Sequence, residues 1–115
     1  MGFKLGSESR GIKNSKSAPI FRKKLDPGVM GEANNDGSIN ISNKIKPGSP
    51  LEKEVVNHEK KHIDDMKSGK LAYGDDYIRY NGNTYKRKDG KIKYNGKWIE
   101  EGSKEFPWEK RAYNA

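Results

Sequence analysis

Three dipeptides constrain this chain more than anything else in it: Asn81-Gly82, Asp89-Gly90 and Asn95-Gly96. Asn or Asp followed by Gly is what a two-residue type I′ turn selects, because both central residues of that turn need positive φ. With turns this close together, the chain between them can only form short strands. The spacing predicts strands near residues 77–80, 83–88, 91–94 and 97–100, closed by Gly102. A weak internal echo supports this, since "IRYNGNTY" and "IKYNGKWI" lie fourteen residues apart. Tyr80, Tyr85, Tyr94 and Trp98 are placed to pair across strands. The expected unit is an antiparallel β-meander.

Upstream the pattern changes from period two to helical. Asp26-Pro27-Gly28 and Asn35-Asp36-Gly37 read as turns. "SINISNKI" alternates, with Ile39 and Ile41 on one side, and predicts a short strand. "SPLE" then places Ser49 at an N-cap, Pro50 at the first helical position and Glu52 two residues on, a capping box with its favoured proline. The helix should run from Pro50 to Lys67 and end near Gly69. Leu51, Val55, His58, Glu59, His62 and Met66 form one stripe along it. A second, short helix is expected from Pro107 to about Tyr113. With one long helix, a short strand before it, a meander and a short terminal helix, the fold class is α+β.

Composition bounds the rest. With 115 residues, 30% hydrophobic and 35% charged, the chain suffices for one thinly cored domain and no more. It has no cysteine, so any metal must be held by His, Asp or Glu. No window is apolar enough for a membrane span or a secretory segment. The expected location is therefore cytoplasmic or inside a virion, with no membrane partner. Most of the net charge of +8 sits in the first fifth of the chain, where seven basic residues face Glu8 alone. Residues 1–26 are read as a basic flexible or docking arm through which a protein assembly could be bound.

Both histidines of the chain lie in "VVNHEKKHIDDM". In H-E-x-x-H the histidines at i and i+4 point the same way and can hold one divalent ion. The Glu beside the first histidine can then reach a water on that ion, whose pKa zinc lowers to ~7, and act as general base. The motif lies mid-helix on the apolar stripe, which assigns His58 and His62 as metal ligands and Glu59 as the catalytic base. A third histidine does not exist, so the third ligand must be a carboxylate. Asp64, Asp65, Asp75, Asp76, Glu100, Glu101, Glu105 and Glu109 are candidates. Glu109 is the best placed, in the first turn of the short helix with small Ala112 one turn on. Asp65, at i+3 from His62, or Asn114 could accept from a ligand ring. Tyr73, Tyr77 and Tyr113 are candidate oxyanion donors.

This constellation resembles the zincin metallopeptidases, and among them the gluzincin type, in which a glutamate on a later helix completes the site. It looks most like very compact members of that group, including small H-E-x-x-H proteins of phage genomes. The matching stretches, "VVNHEKKHIDDM" and "PWEKRAYNA", cover about a fifth of the chain. The resemblance implies a zinc-dependent peptidase acting on a peptide or protein, with a zincin-like domain over residues 27–115. It also implies a rim strand, at "GSINISN", that pairs with extended substrate. The alternative is a structural or docking virion-type protein that keeps the fold. Nucleic-acid binding ranks behind both. The meander carries Arg79, Lys86, Arg87, Lys88, Lys91, Lys93 and Lys97 among aromatics, but Asp89, Glu100 and Glu101 dilute the patch.

Overall fold

A computed structural model describes residues 2–5 and 19–113. Among these residues nine strands and two helices follow in the order β1 (Gly2–Leu5), β2 (Ile20–Lys23), β3 (Val29–Ala33), β4 (Ile39–Ser42), α1 (Pro50–Lys67), β5 (Leu71–Tyr73), β6 (Tyr77–Tyr80), β7 (Asn83–Lys88), β8 (Lys91–Tyr94), β9 (Lys97–Glu100) and α2 (Pro107–Tyr113). The fold is α+β, as expected. Among the described residues no helix is long and apolar enough to cross a membrane.

The meander forms for the reason its turns give. Asn81, Asp89 and Asn95 adopt φ of 49°, 53° and 51°, and each is followed by a glycine at positive φ. That is the type I′ signature. The internal echo is two hairpins in the same register, with Ile78 opposite Tyr85 and Ile92 opposite Ile99. One strand escapes the turn pattern. Leu71–Tyr73 joins as β5, giving a five-stranded sheet in sequential order. It was not foreseen because three residues are too few to show a period.

The first sheet is mixed, in the order β1-β3-β4-β2. β3 and β4 form an antiparallel hairpin, while β1 runs parallel to β3 and β2 parallel to β4. Two expectations change here. The strand at "GSINISN" is β4, but both of its edges are occupied, by β3 and β2. It cannot offer a free edge to an extended substrate. The basic arm expected over residues 1–26 supplies both outer strands of the sheet. Parallel pairing is decided by distant partners, so charge-rich local sequence gives no hint of it. Arg22 shows how this works. It ion-pairs with Glu52 at the start of α1, and its Nη1 donates to the Ile45 carbonyl at 2.8 Å.

α1 begins as predicted. The Ser49 hydroxyl accepts from the Glu52 amide at 3.2 Å, and Gly69 follows the Ser68 cap at φ 82°. Val55, His58, Glu59, His62, Ile63 and Asp65 are its buried residues. The helix packs on β3, β4, β5 and α2. The two sheets are tied through Arg87. Its guanidinium donates to the carbonyls of Leu5 at 2.7 Å and Gly74 at 2.9 Å, and ion-pairs with Glu101 at 2.9 Å.

Candidate metal centre

α1 sets the histidines. Four residues apart, they project from one face, with ring centroids 5.0 Å apart and planes crossed at 76°. α2 brings the third group to them. Glu109 Oε1 lies 2.8 Å from His58 Nε2 and 3.0 Å from His62 Nε2. One donor atom from each of the three residues falls within 4.8 Å of the others. The buried His58–His62–Glu109 group could bind a metal ion. Two imidazoles and a carboxylate are the donors that suit a divalent transition ion such as zinc. Of the eight carboxylates the sequence offers as third ligand, Glu109 alone joins both histidines. Glu101 is taken by Arg87, Asp65 by Arg111, and Asp64, Asp75, Asp76, Glu100 and Glu105 are exposed.

Aromatic packing explains why α2 reaches the site. Phe106 and Trp108 stack with centroids 4.7 Å apart and planes within 6°. Tyr80, Tyr85 and Tyr94, on the inner face of the meander, surround the Trp108 ring at 5.8, 5.4 and 6.5 Å. With Trp108 fixed in this nest, the next residue around the helix is turned toward α1. Ala112, one turn beyond Glu109, is 2% exposed and small enough for the helices to approach closely. The meander is thus the cradle of the third candidate ligand.

The electrostatics separate the two buried glutamates. Burial by itself would raise the carboxyl of Glu109, but the charge of His62 and hydrogen bonds from both rings outweigh it and hold it down at about 2. Burial lowers the His58 imidazole, against the pull of Glu109, and so favours its neutral form. Glu59 behaves oppositely. It is 0% exposed, and among the described residues neither carboxylate oxygen has a hydrogen-bond partner. Burial, then the charges of Glu109 and Glu32, push its carboxyl well above the usual range. Gly31 of β3 makes room for it, since a Cβ there would stand 2.7 Å from Glu59 Oε2 and 2.8 Å from Val55 Cγ1.

No family model, curated protein or solved structure matches this chain. Its site must be read from its own atoms.

Two supporting residues, Asp65 and Tyr73, differ from expectation. Asp65 does not serve the His62 ring. Its two oxygens accept from Arg111 Nε at 3.0 and 3.1 Å, and among the described residues His62 Nδ1 has no partner. A guanidinium one turn along α2 competes better for a carboxylate than an imidazole N–H does. Tyr73 belongs to the framework, donating to the Ala33 carbonyl at 3.2 Å. Tyr113 is at the centre, its ring edge-on to His58 at 4.5 Å. Its hydroxyl donates to the Gly102 carbonyl at 3.1 Å, and burial with the charges of Glu109 and Glu59 pushes it up to about 12. Asn114 lies outside the described residues. Sequence reasoning missed Gly31 and Arg111. "VMGEA" carries no turn or strand signal that would single out its glycine, and Arg111 reads as an ordinary helix-end cation.

Proposed function

We propose that this chain is a zinc-dependent hydrolase of the zincin kind, cleaving a peptide or amide bond. The observation that carries the reading is Glu59, a fully buried carboxyl with no hydrogen-bond partner among the described residues, next in sequence to a convergent His–His–Glu donor set. A fold that needed only stability would gain by replacing such a group, because an unsatisfied buried carboxyl costs on the order of 1–3 kcal/mol or more. His58, His62 and Glu109 would hold the ion. A divalent cation there supplies Lewis acidity to a water and a carbonyl oxygen, and its charge favours the ionised form of Glu59.

The chain's own residues then divide the work. Glu59 takes a proton from the attacking water as the water oxygen bonds to the carbonyl carbon. It returns that proton to the leaving nitrogen as the C–N bond breaks, so the carboxyl ends as it began. Tyr113 is the donor available to a developing oxyanion, once its hydroxyl leaves the Gly102 carbonyl. Arg111 and Asp65 fix α2 against α1.

A second reading is favoured by one observation. His58, Glu59, His62 and Glu109 are all between 0 and 3% exposed, as suits a closed structural centre in a docking protein. One experiment addresses both. Zinc-loaded wild type and Glu59→Gln are incubated with a mixed peptide library, and new termini are read by mass spectrometry. The hydrolase reading predicts cleavage by wild type only, with equal zinc in both proteins. Cleavage retained by the variant sinks the mechanism. Full zinc with no cleavage by either supports the structural reading.

A further inference from the structure

Independently of the metal centre, we infer that the outer face of the meander binds single-stranded nucleic acid. The strand register decides which cations share that face. Arg79 pairs with Thr84, Lys88 with Lys91, and Lys93 with Trp98. By alternation Arg79, Lys86, Lys88, Lys91, Lys93 and Trp98 all point outward, and all are exposed. Arg87 and Lys97, which sequence alone would add to the patch, lie on the other face. So does Glu101, which seemed to dilute it but turns inward to Arg87. Glu100, opposite Lys91, is the acid that remains on the strands of this face.

Two features mark the surface as more than a solvated sheet. Among the described residues none of the five cations makes an ion pair or a side-chain hydrogen bond, so all five charges stand open to a ligand on one face. Lys88 sits directly opposite Lys91, and like charges so placed oppose strand pairing. A polyanion laid across β6 to β8 would relieve that repulsion and release its own counterions. The aromatic group then selects the kind of polyanion. Trp98 is 45% exposed, beside Lys93 on the edge strand, where an unpaired base can stack on its indole while phosphates meet the lysines. An anionic bilayer would call for several exposed apolar side chains on the face, and Trp98 is the large exposed one there, Tyr77 being half-buried. The other side of the same sheet holds Trp108, so the two surfaces stand back to back and share no residue.

Fluorescence anisotropy of the full chain with a labelled 20-mer oligodeoxythymidine tests this. Three to five phosphate contacts predict that affinity falls roughly 15- to 130-fold between 50 and 200 mM salt. Trp98→Ala should weaken binding roughly 5- to 150-fold. Lys88→Gln with Lys91→Gln should weaken it and flatten the salt slope. Lys53→Gln with Lys60→Gln, an equal charge change on the exposed side of α1, should leave it unchanged. A duplex of the same length should bind more weakly. Circular dichroism and zinc content should match wild type in every variant. Absence of binding at 50 mM salt overturns the inference. So does equal loss from the α1 pair, which would reduce the effect to net charge. Binding to phosphatidylserine vesicles without binding to the oligonucleotide would instead assign the face to a lipid surface, and overturns it too.

Discussion

Glu59 concentrates the conflict between stability and chemistry. Its carboxyl titrates higher in the folded protein than the ordinary 4.5, because it is buried and faces Glu109 and Glu32. A raised folded value means that its contribution is fully present below about 4.5 and is lost as pH rises toward the folded value. Gln carries no such dependence. With zinc removed by chelator, Glu59→Gln should therefore gain on wild type as pH rises, by up to about 1.4 kcal/mol per pH unit above the unfolded value. Urea midpoints at pH 5 and pH 7.5 measure it. A gap that does not widen with pH would show that Glu59 is not held protonated by its surroundings. The motif was legible in the sequence because i and i+4 on an apolar stripe leave little choice of direction. The bareness of the carboxyl was not, because it depends on Gly31, a residue twenty-eight positions away whose missing side chain makes the space.

At the scale of elements, α2 is the piece that can fail. It is seven residues long, too short to be stable alone, so its position comes from its contacts. Trp108 anchors it in the aromatic nest, and the Arg111–Asp65 pair sets its rotation. Arg111 is 39% exposed and Asp65 2%, so the pair is half in water and its loss should cost only about 1–2 kcal/mol of stability. Its effect on metal should be larger. Arg111→Ala should weaken zinc binding roughly tenfold, within the 10- to 100-fold loss usual when residues behind a ligand are removed. Competition with a chelating dye reads this directly, and unchanged affinity would mean that Trp108 alone positions Glu109. The bounds of α1, α2 and four meander strands could be read from caps, prolines and Asn-Gly or Asp-Gly turns, because those signals are local. The short strands at Leu71 and in the basic arm could not, because their partners lie far away in the chain.

The whole molecule is two sheets sharing α1, and Arg87 is the joint. One guanidinium serves Leu5, Gly74 and Glu101 and stands 5.3 Å over the Tyr73 ring. A lysine has the charge but not the planar fork, so Arg87→Lys should not rescue what Arg87→Met loses. Both should destabilise by about 2–5 kcal/mol. Because the carbonyls and carboxylate that Arg87 serves belong to Leu5, Gly74 and Glu101 and not to His58, His62 or Glu109, the variants that stay folded should keep the capacity of that group to bind zinc. Guanidinium melts with metal analysis in parallel would separate these effects, and a lysine variant as stable as wild type would remove Arg87 from this role.

The sequence by itself determined the local elements and the pair of histidines with their glutamate, because turn chemistry, caps and helical period act over a few residues. Tertiary structure decided three things that no local pattern holds. It selected Glu109 from eight carboxylates by docking Trp108 into the meander. It placed two segments of the basic arm, Gly2–Leu5 and Ile20–Lys23, in the sheet and closed the edges of β4. It sorted the cations of the meander, burying Arg87 and gathering five others on one face, because side chains of a strand alternate and only the register says which side is out.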